Sequence, residues 1–216
     1  MPALTPANDV IRARNVTASE VGALLGPHPY TDPLRIYHRL MRAPEYIAPT
    51  HTQAMELGVY FERRIAQFAA KQIGVRIRAN NRSIEHPKGI MLSATPDYYV
   101  LHPRGVVAFG PPRMLIECKL SSILYGWTED KLASHIEWQA RAQLAVTRRD
   151  VCMVAALVGS QFHLIPVVRD MNKERMMIDA VNEMEGRIMR GLPPAPPEIP
   201  HLRKVVVMPS TEGRIA

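Results

Sequence analysis

Three strand-length runs of apolar sequence constrain the fold of this chain most strongly. They lie at 113–120 (RMLIECKL), 151–158 (VCMVAALV) and 162–168 (FHLIPVV). Runs this apolar are typical of strands that are buried between other layers of structure. The last two flank Gly159-Ser160-Gln161, and this arrangement predicts a β-hairpin.

Helical signals occupy much of the remaining chain. In the long segments apolar residues recur every three to four positions, and Gly74 and Gly191 mark two of the ends. The short segments begin with a capping box, Thr17-Ala18-Ser19-Glu20, and with Asp32-Pro33. The helices are therefore predicted from Thr17 through Leu24, from Pro33 to before Pro44, and over 53–73, 130–147 and 172–190.

Short strands and irregular segments fill the gaps between these elements. Strands are predicted near 75–79 and 82–86, and 91–101 is interpreted as a strand or hairpin edge broken at Pro96. The segments predicted to be irregular are 1–15, 102–112 and 121–129. The order of elements predicts one domain of α/β (α+β) class over 1–191. A proline-rich tail, 192–216, is expected to be extended and loosely attached.

The composition narrows the class of function. The chain has 27 Lys and Arg against 20 Asp and Glu, a net charge of +7. This balance favours a polyanionic partner such as nucleic acid, although a merely basic protein fits it equally well. Cys118 and Cys152 form no C-x-x-C pair, which excludes a disulfide framework and a structural zinc site and fits a reducing cytosol. No membrane partner, secretory signal or P-loop ATPase activity is expected, because the corresponding sequence patterns are absent.

The apolar strand at 113–120 carries two charged residues on one face. Because side chains alternate along a strand, Glu117 and Lys119 point one way while Ile116, Cys118 and Leu120 point the other. Buried charges are costly unless they are paired, hydrated or bound to an ion. An edge strand with a solvated face, or a plain Glu–Lys pair, is the simpler alternative.

Two more carboxylates could join this strand. Asp97 follows Pro96 at the mouth of the apolar run YYVL, where it is either a turn residue or a ligand. Asp97 beside Glu117 would suit a divalent cation such as Mg²⁺ and the hydrolysis of a phosphodiester, with Lys119 orienting or helping to deprotonate a water. Glu62 borders the apolar stripe of the 53–73 helix, where an ordinary flanking residue is the simpler interpretation.

Other polar residues fall where they could contact a phosphate. One group lies on the 130–147 helix, where it could also be the polar border of an amphipathic helix. The second group precedes or opens a helix near the N-terminus, and arginines beside a helix N-terminus form a good phosphate site. The residues are Gln139 and Gln143 in the first group, and Arg12, Arg14, Thr17 and Ser19 in the second.

The order of these features resembles the lambda-exonuclease/YqaJ viral recombinase family of the PD-(D/E)xK nuclease superfamily. The motifs are Gly58-x-x-x-Glu62, Thr95-Pro96-Asp97, Glu117-Cys118-Lys119 and Gln139, together with VTASEVGALLG (16–26) and WQARAQLAVT (138–147). The frequent Ser-Pro-Asp-Gly of the family is Thr-Pro-Asp-Tyr here, and the second glutamine of its Gln-x-Gln pattern is Arg141.

The resemblance implies a fold and an activity. The fold is a restriction-endonuclease-like core, with a central mixed β-sheet flanked by helices. The activity is Mg²⁺-dependent, ATP-independent 5′-to-3′ digestion of linear double-stranded DNA, with Mn²⁺ as a substitute ion. Such enzymes release mononucleotides and leave a 3′ single strand for an annealing protein. The resemblance further implies a homo-oligomer, a toroidal trimer, encoded by a phage or prophage and acting in the bacterial cytoplasm.

The resemblance also assigns roles to residues. Asp97, Glu117 and the main-chain carbonyl of Cys118 would bind metal, and Glu62 would reach it through water or at a second ion. Lys119 and Gln139 would position the attacking water. Arg12, Ser19 and Thr95 would hold the terminal 5′-phosphate. Arg14 and Gln143 are further expected contacts to DNA, on the grounds given above for their two groups.

Two other functions compete with the exonuclease. One is a structure- or overhang-specific endonuclease of the same superfamily, which would also cut closed circular DNA. The other is a DNA-binding assembly module without catalysis. Loss of Asp97, Glu117 or Lys119 would be its signature, and all three residues are present.

Overall fold

The computed structural model describes residues 6–48, 50, 52–101, 113–121 and 132–197. The predicted loop at 102–112, all of the predicted loop at 121–129 except Ser121, the first residues of the predicted 130–147 helix and the tail beyond 197 lie outside these ranges. The helices are α1 (Pro6–Arg14), α2 (Pro33–Met41), α3 (Gln53–Gln72), α4 (Ser134–Thr147) and α5 (Met171–Arg190). The strands are β1 (Val16–Thr17), β2 (Arg76–Ala79), β3 (Ile84–Glu85), β4 (Leu92–Ala94), β5 (Tyr98–Leu101), β6 (Met114–Ser121), β7 (Val151–Val158) and β8 (Gln161–Val168).

The strands form two mixed sheets. The larger has the order β2-β5-β6-β7-β8, in which only β6 and β7 run parallel. The smaller has the order β1-β4-β3, in which β1 and β4 run parallel. The predicted fold class, a mixed sheet flanked by helices, is therefore confirmed.

Helices cover both faces of the larger sheet. Apolar residues of α3, such as Ile65 and Ala69, pack on one face against Ile116 of β6. Apolar residues of α4, such as Leu144, pack on the other face against Leu115 of β6. A third core joins the smaller sheet to α2, α4 and α5. The alternation of β6 thus directs Ile116 and Cys118 towards α3, and Leu115 and Glu117 towards α4.

Elements with strong local signals form as predicted. Asp32 caps α2, since its Oδ1 accepts a hydrogen bond of 2.9 Å from the main-chain N–H of Arg35. Gly74 and Gly191 follow α3 and α5 with positive φ, a conformation that favours glycine. The β7–β8 hairpin closes with Val158 opposite Gln161.

The N-terminal region differs from its prediction. Residues 6–14, predicted to be irregular, form α1, because Pro6 occupies the first helical position and distant contacts hold the helix. Asn8, for example, accepts from the N–H of Ser83 and donates to the carbonyl of Asn81. The predicted capping-box helix is also wrong: Thr17 pairs with Ser93 in a strand, and only one 3₁₀ turn, Val21–Leu24, follows.

The 91–101 segment is broken at Pro96, as predicted, but neither part is a sheet edge. It forms β4 and β5, which lie inside different sheets. Pro96 separates them because it has no N–H to donate to a sheet. In the described part of the tail, 192–197, there is no helix or strand, but Pro194 is buried, so this residue is packed. None of the described helices is long and apolar enough to span a membrane.

Candidate active site

A cleft opens where β5 and β6 separate. The two strands pair only through Tyr98 opposite Ile116 and Tyr99 opposite Leu115, while β6 continues to Ser121. The following part of β6 therefore lines a cleft of about 370 Å³ together with α1, α3, α4 and the end of β4. The polar residues that line it are Arg12, Glu62, Thr95, Asp97, Glu117, Cys118, Lys119 and Gln139.

The turn before β5 fixes the position of Asp97. The main-chain N–H of Asn80 donates to the carbonyl of Asp97 at 2.8 Å, and its side-chain amide donates to the carbonyl of Pro96 at 2.9 Å. Oδ2 of Asp97 accepts a hydrogen bond of 2.8 Å from the N–H of Cys118. Asp97 is only 6% exposed, so its carboxyl group is held inside the protein beside β6.

The carboxylate of Glu117 is held by three side chains. Its Oε1 accepts from Nζ of Lys119 at 2.7 Å and from Nε2 of Gln139 at 2.6 Å. Its Oε2 accepts from Nε2 of Gln143 at 2.6 Å. Gln139 also bonds to the cation, because its Oε1 accepts from Nζ of Lys119 at 2.8 Å. Glu117, Lys119 and Gln139 thus form one closed network.

Burial and the closeness of like charges make it unfavourable for all the carboxyl groups of the cleft to be ionised together. Desolvation, with repulsion from Glu117 and Glu62, raises the pKa of Asp97 well above its ordinary value. Desolvation and the charge of Glu117 likewise raise the pKa of Glu62. Desolvation opposes the charge of Lys119, but attraction to Glu117 and Asp97 outweighs it and raises its pKa, so Lys119 is an ammonium at neutral pH.

The donor set fits a hard divalent cation. Asp97 and Glu117 supply carboxylate oxygens, and oxygen is the ligand that Mg²⁺ prefers. A second positive charge in the cleft, in addition to that of Lys119, would reduce the repulsion between these carboxylates. Among the described residues no donor is bound to Oδ1 of Asp97. No group of three or more His, Cys, Asp or Glu in the described ranges is close enough to hold an ion by itself. Glu62 therefore lines the cleft without closing a carboxylate triad.

The predicted phosphate contacts fall into two groups. Arg12 and Thr95 line the cleft, and Oγ1 of Thr95 lies 2.8 Å from Oγ of Ser83. Ser19 and Arg14 are exposed and do not line the cleft. The register Thr17 opposite Ser93 places Ser19 and Thr95 at the same end of two parallel strands.

Gln143 is not placed where DNA could reach it. The sequence predicts a contact to DNA, but the side chain of Gln143 is only 1% exposed and donates inward to Glu117. Gln143 lies one helical turn from Gln139, as the spacing predicts, but it bonds to the inner oxygen of the Glu117 carboxylate. The prediction of a DNA contact at this position is wrong.

Two residues that support the site are not among those predicted from the sequence. Arg39 of α2 donates to the carbonyls of Arg12 and Asn15 and to both carboxylate oxygens of Glu20. It thereby ties the end of α1, which carries Arg12, to the segment that carries Ser19. Asn80 fixes the Pro96–Asp97 turn. An Asn after a strand and an Arg on a helix have no sequence signal for such roles.

Comparisons with known proteins agree with this architecture. A family model for the YqaJ-like viral recombinase domain matches residues 9–150. The fold is similar to the crystal structure of an alkaline exonuclease (LHK-Exo) from Laribacter hongkongensis, with 18% identity, a TM-score of 0.57, and coverage of 84% of this chain and 93% of that one. For the same protein in complex with dAMP, the identity is 18%, the TM-score is 0.61 and the coverage is 86% and 95%.

A phage-related exonuclease from Haemophilus somnus 129PT has a similar fold, with 11% identity, a TM-score of 0.60, and coverage of 82% of this chain and 96% of that one. No curated protein matches the sequence. The fold and the cleft define a restriction-endonuclease-like α/β protein. The chain belongs to the YqaJ-like viral recombinase family, as the order of its motifs indicated.

Proposed function

We propose that this protein is a metal-dependent, ATP-independent exonuclease that digests linear double-stranded DNA from its 5′ ends. It releases 5′-mononucleotides and leaves a 3′ single strand for recombination by strand annealing. One observation carries the proposal: Asp97, Glu117 and Lys119 line one cleft, in which Lys119 bonds to Glu117 and the main-chain N–H of Cys118 bonds to Asp97. Membership of the recombinase family and the exonuclease neighbours support it.

Asp97 and Glu117, with the carbonyl of Cys118, would hold Mg²⁺ or Mn²⁺, and Glu62 would act through water or at a second ion. When bound, the ion supplies Lewis-acid stabilisation of the charge that develops on the phosphate. Attraction to Glu117 and Asp97 raises the pKa of Lys119, so its side chain is an ammonium group in the metal-free protein. Its ammonium group, oriented by Gln139, holds the attacking water and stabilises the phosphate oxygens.

The substrate end would be selected at Arg12. This side chain lines the same cleft as Asp97 and can form charge-assisted hydrogen bonds with a terminal phosphate. Thr95 adds a hydroxyl group beside it, and Ser19 lies at the same sheet end. Attack by water on the first internucleotide phosphorus would break its bond to the 3′ oxygen and release a nucleotide that keeps its 5′-phosphate.

The proposal also covers the oligomeric state, the partner protein and the cellular location. The protein would act as a homo-oligomer, a toroidal trimer that encloses the duplex, with a single-strand annealing protein as its partner. Its net charge of +7 suits enclosure of a polyanion. It would work in the cytoplasm of a bacterium that carries the phage or prophage.

A polarity assay tests this function. The substrates are linear duplexes in which phosphorothioates protect either both 5′ ends or both 3′ ends, and the products are sized. The proposal predicts mononucleotides only when the 5′ ends are unprotected. Digestion that needs free 3′ ends would contradict the polarity, and oligonucleotides from internal cuts would indicate the endonuclease alternative.

A further inference from the structure

Gln143 holds the inner oxygen of the Glu117 carboxylate. Its Nε2 donates to Oε2 of Glu117 at 2.6 Å, and its own Oε1 lies 3.7 Å from Sγ of Cys152, which donates to it. Gln143 and Cys152 are both fully buried. The contacts form a chain from β7, through α4, to the carboxylate on β6.

The two oxygens of Glu117 therefore have different surroundings. Oε1 is bonded by Lys119 and Gln139, both of which line the cleft. Oε2 is bonded by a residue that solvent does not reach. The partners of Oε1 line the cleft and the partner of Oε2 does not, which puts Oε1 on the cleft side of the carboxylate.

We infer that Gln143 is a positioning residue that makes Glu117 a one-oxygen ligand, offering Oε1 to the cleft and keeping Oε2 inside. This inference rests on the proposed function, because it concerns the ion that Glu117 would hold. A neutral amide suits the role, since it satisfies a buried carboxylate oxygen without a further positive charge that would compete with a cation.

Cys152 fixes which way the amide of Gln143 points. A side-chain amide can flip and exchange its oxygen and nitrogen. A thiol that donates to Oε1 favours the orientation in which Nε2 faces Glu117.

Mn²⁺ binding to the full chain without DNA, measured by calorimetry, tests the inference independently of activity. Gln143→Met keeps the size of the side chain and removes the donor. We expect it to weaken Mn²⁺ binding roughly 10- to 100-fold, as loss of a hydrogen-bond partner of a metal ligand does. Cys152→Ala should weaken binding less, and Cys152→Ser, which keeps a donor, should bind like wild type.

Leu144→Val is the matched control. It removes one methylene of a fully buried neighbour in α4 that packs in the sheet core and does not bond Glu117. Equal loss of Mn²⁺ affinity in Leu144→Val and Gln143→Met would show a merely structural effect and overturn the inference. Wild-type affinity in Gln143→Met would overturn it as well.

If Gln143→Met does not fold, the variants Cys152→Ala and Cys152→Ser test the inference instead. Weaker Mn²⁺ binding in Cys152→Ala but not in Cys152→Ser supports the inference, and equal affinities overturn it. If wild type binds Mn²⁺ and digests DNA and the variants bind Mn²⁺ equally well, the proposed function stands. Only the role of Gln143 as a positioning residue is then overturned. A wild-type protein that binds no Mn²⁺ would overturn both.

Discussion

The main-chain N–H of Cys118 donates a hydrogen bond of 2.8 Å to Oδ2 of Asp97, although the two residues are 21 positions apart in the sequence. This bond attaches the turn before β5 to the middle of β6. It brings the carboxyl group of Asp97 beside that of Glu117, so that the strand carrying Glu117 and Lys119 also orders the second acidic residue of the cleft.

Asp97→Asn should stabilise the metal-free protein at alkaline pH and abolish digestion. The folded protein holds the proton of Asp97 to a higher pH than the unfolded chain, because burial and neighbouring carboxylates raise its pKa. Wild-type stability therefore falls as pH rises through that raised pKa. The gain in the variant, of order 1 kcal/mol in the free energy of unfolding, should grow over the same range.

The measurement is denaturant unfolding in EDTA at several pH values. Near pH 4 and below, Asp97 is protonated in the folded state and increasingly so in the unfolded chain, so the two proteins should converge. An Asn variant less stable than wild type at pH 8 would contradict the account of Asp97 as a carboxyl group whose pKa is raised by burial and neighbouring charge.

Lys119→Ala should lower turnover at least about 100-fold while DNA binding stays within a few-fold of wild type. The ammonium group acts on the phosphate in the transition state, whereas duplex affinity is spread over many basic residues. Single-turnover digestion and fluorescence anisotropy in EDTA measure the two quantities. Lys173→Ala is the control, because Lys173 is also paired with a carboxylate, Glu137, but lies outside the cleft. Wild-type turnover in Lys119→Ala would remove this residue from the mechanism.

Arg12→Ala should slow digestion most on 5′-phosphorylated ends. Loss of a charge-assisted contact to phosphate would reduce the rate roughly 10- to 100-fold on these ends and little on 5′-hydroxyl ends. Initial rates on the two substrates give the ratio. Arg14→Ala removes an exposed arginine of the same helix, outside the cleft, and should leave that ratio unchanged. Equal slowing on both kinds of end would contradict the phosphate pocket.

Gly22→Ala should destabilise the protein by about 1–3 kcal/mol, the usual range for overpacking. A methyl group at Gly22 would lie 3.2 Å from Cα of His135 and 3.5 Å from Cβ of Trp138, at the contact between the 3₁₀ turn and α4. Gly26→Ala is the control, since nothing lies within 4 Å of the corresponding position. Thermal unfolding compares the two variants, and similar melting temperatures would show that the turn can move without cost.

Local signals explain which elements could be predicted from the sequence. Asp32-Pro33 begins α2 and the Gly159-Ser160 turn joins β7 to β8, because the residues that determine each feature are adjacent. The period of a strand likewise placed Glu117 and Lys119 on one face, where the structure joins them at 2.7 Å.

Long-range contacts explain what the sequence could not show. Thr17 and Glu20 carry the pattern of a helix start, but pairing of Thr17 with Ser93 draws the segment into a sheet. The helical period predicted the position of Gln143 on α4 but not its burial, since burial depends on the sheet beneath α4. The turn that positions Asp97 depends on Asn80, and no local pattern connects these two residues.

The most direct test of the central claim is one digestion assay on a linear duplex and on a closed circle of the same sequence. Wild type and Glu117→Gln are compared in Mg²⁺ and in EDTA. The account predicts that wild type digests only the linear duplex, only with Mg²⁺, and that Glu117→Gln digests neither. Digestion in EDTA would contradict the metal dependence of the reaction. Digestion by Glu117→Gln at the wild-type rate would contradict the cleft as the active site. Cutting of the circle would instead indicate an endonuclease, and binding without product an assembly module.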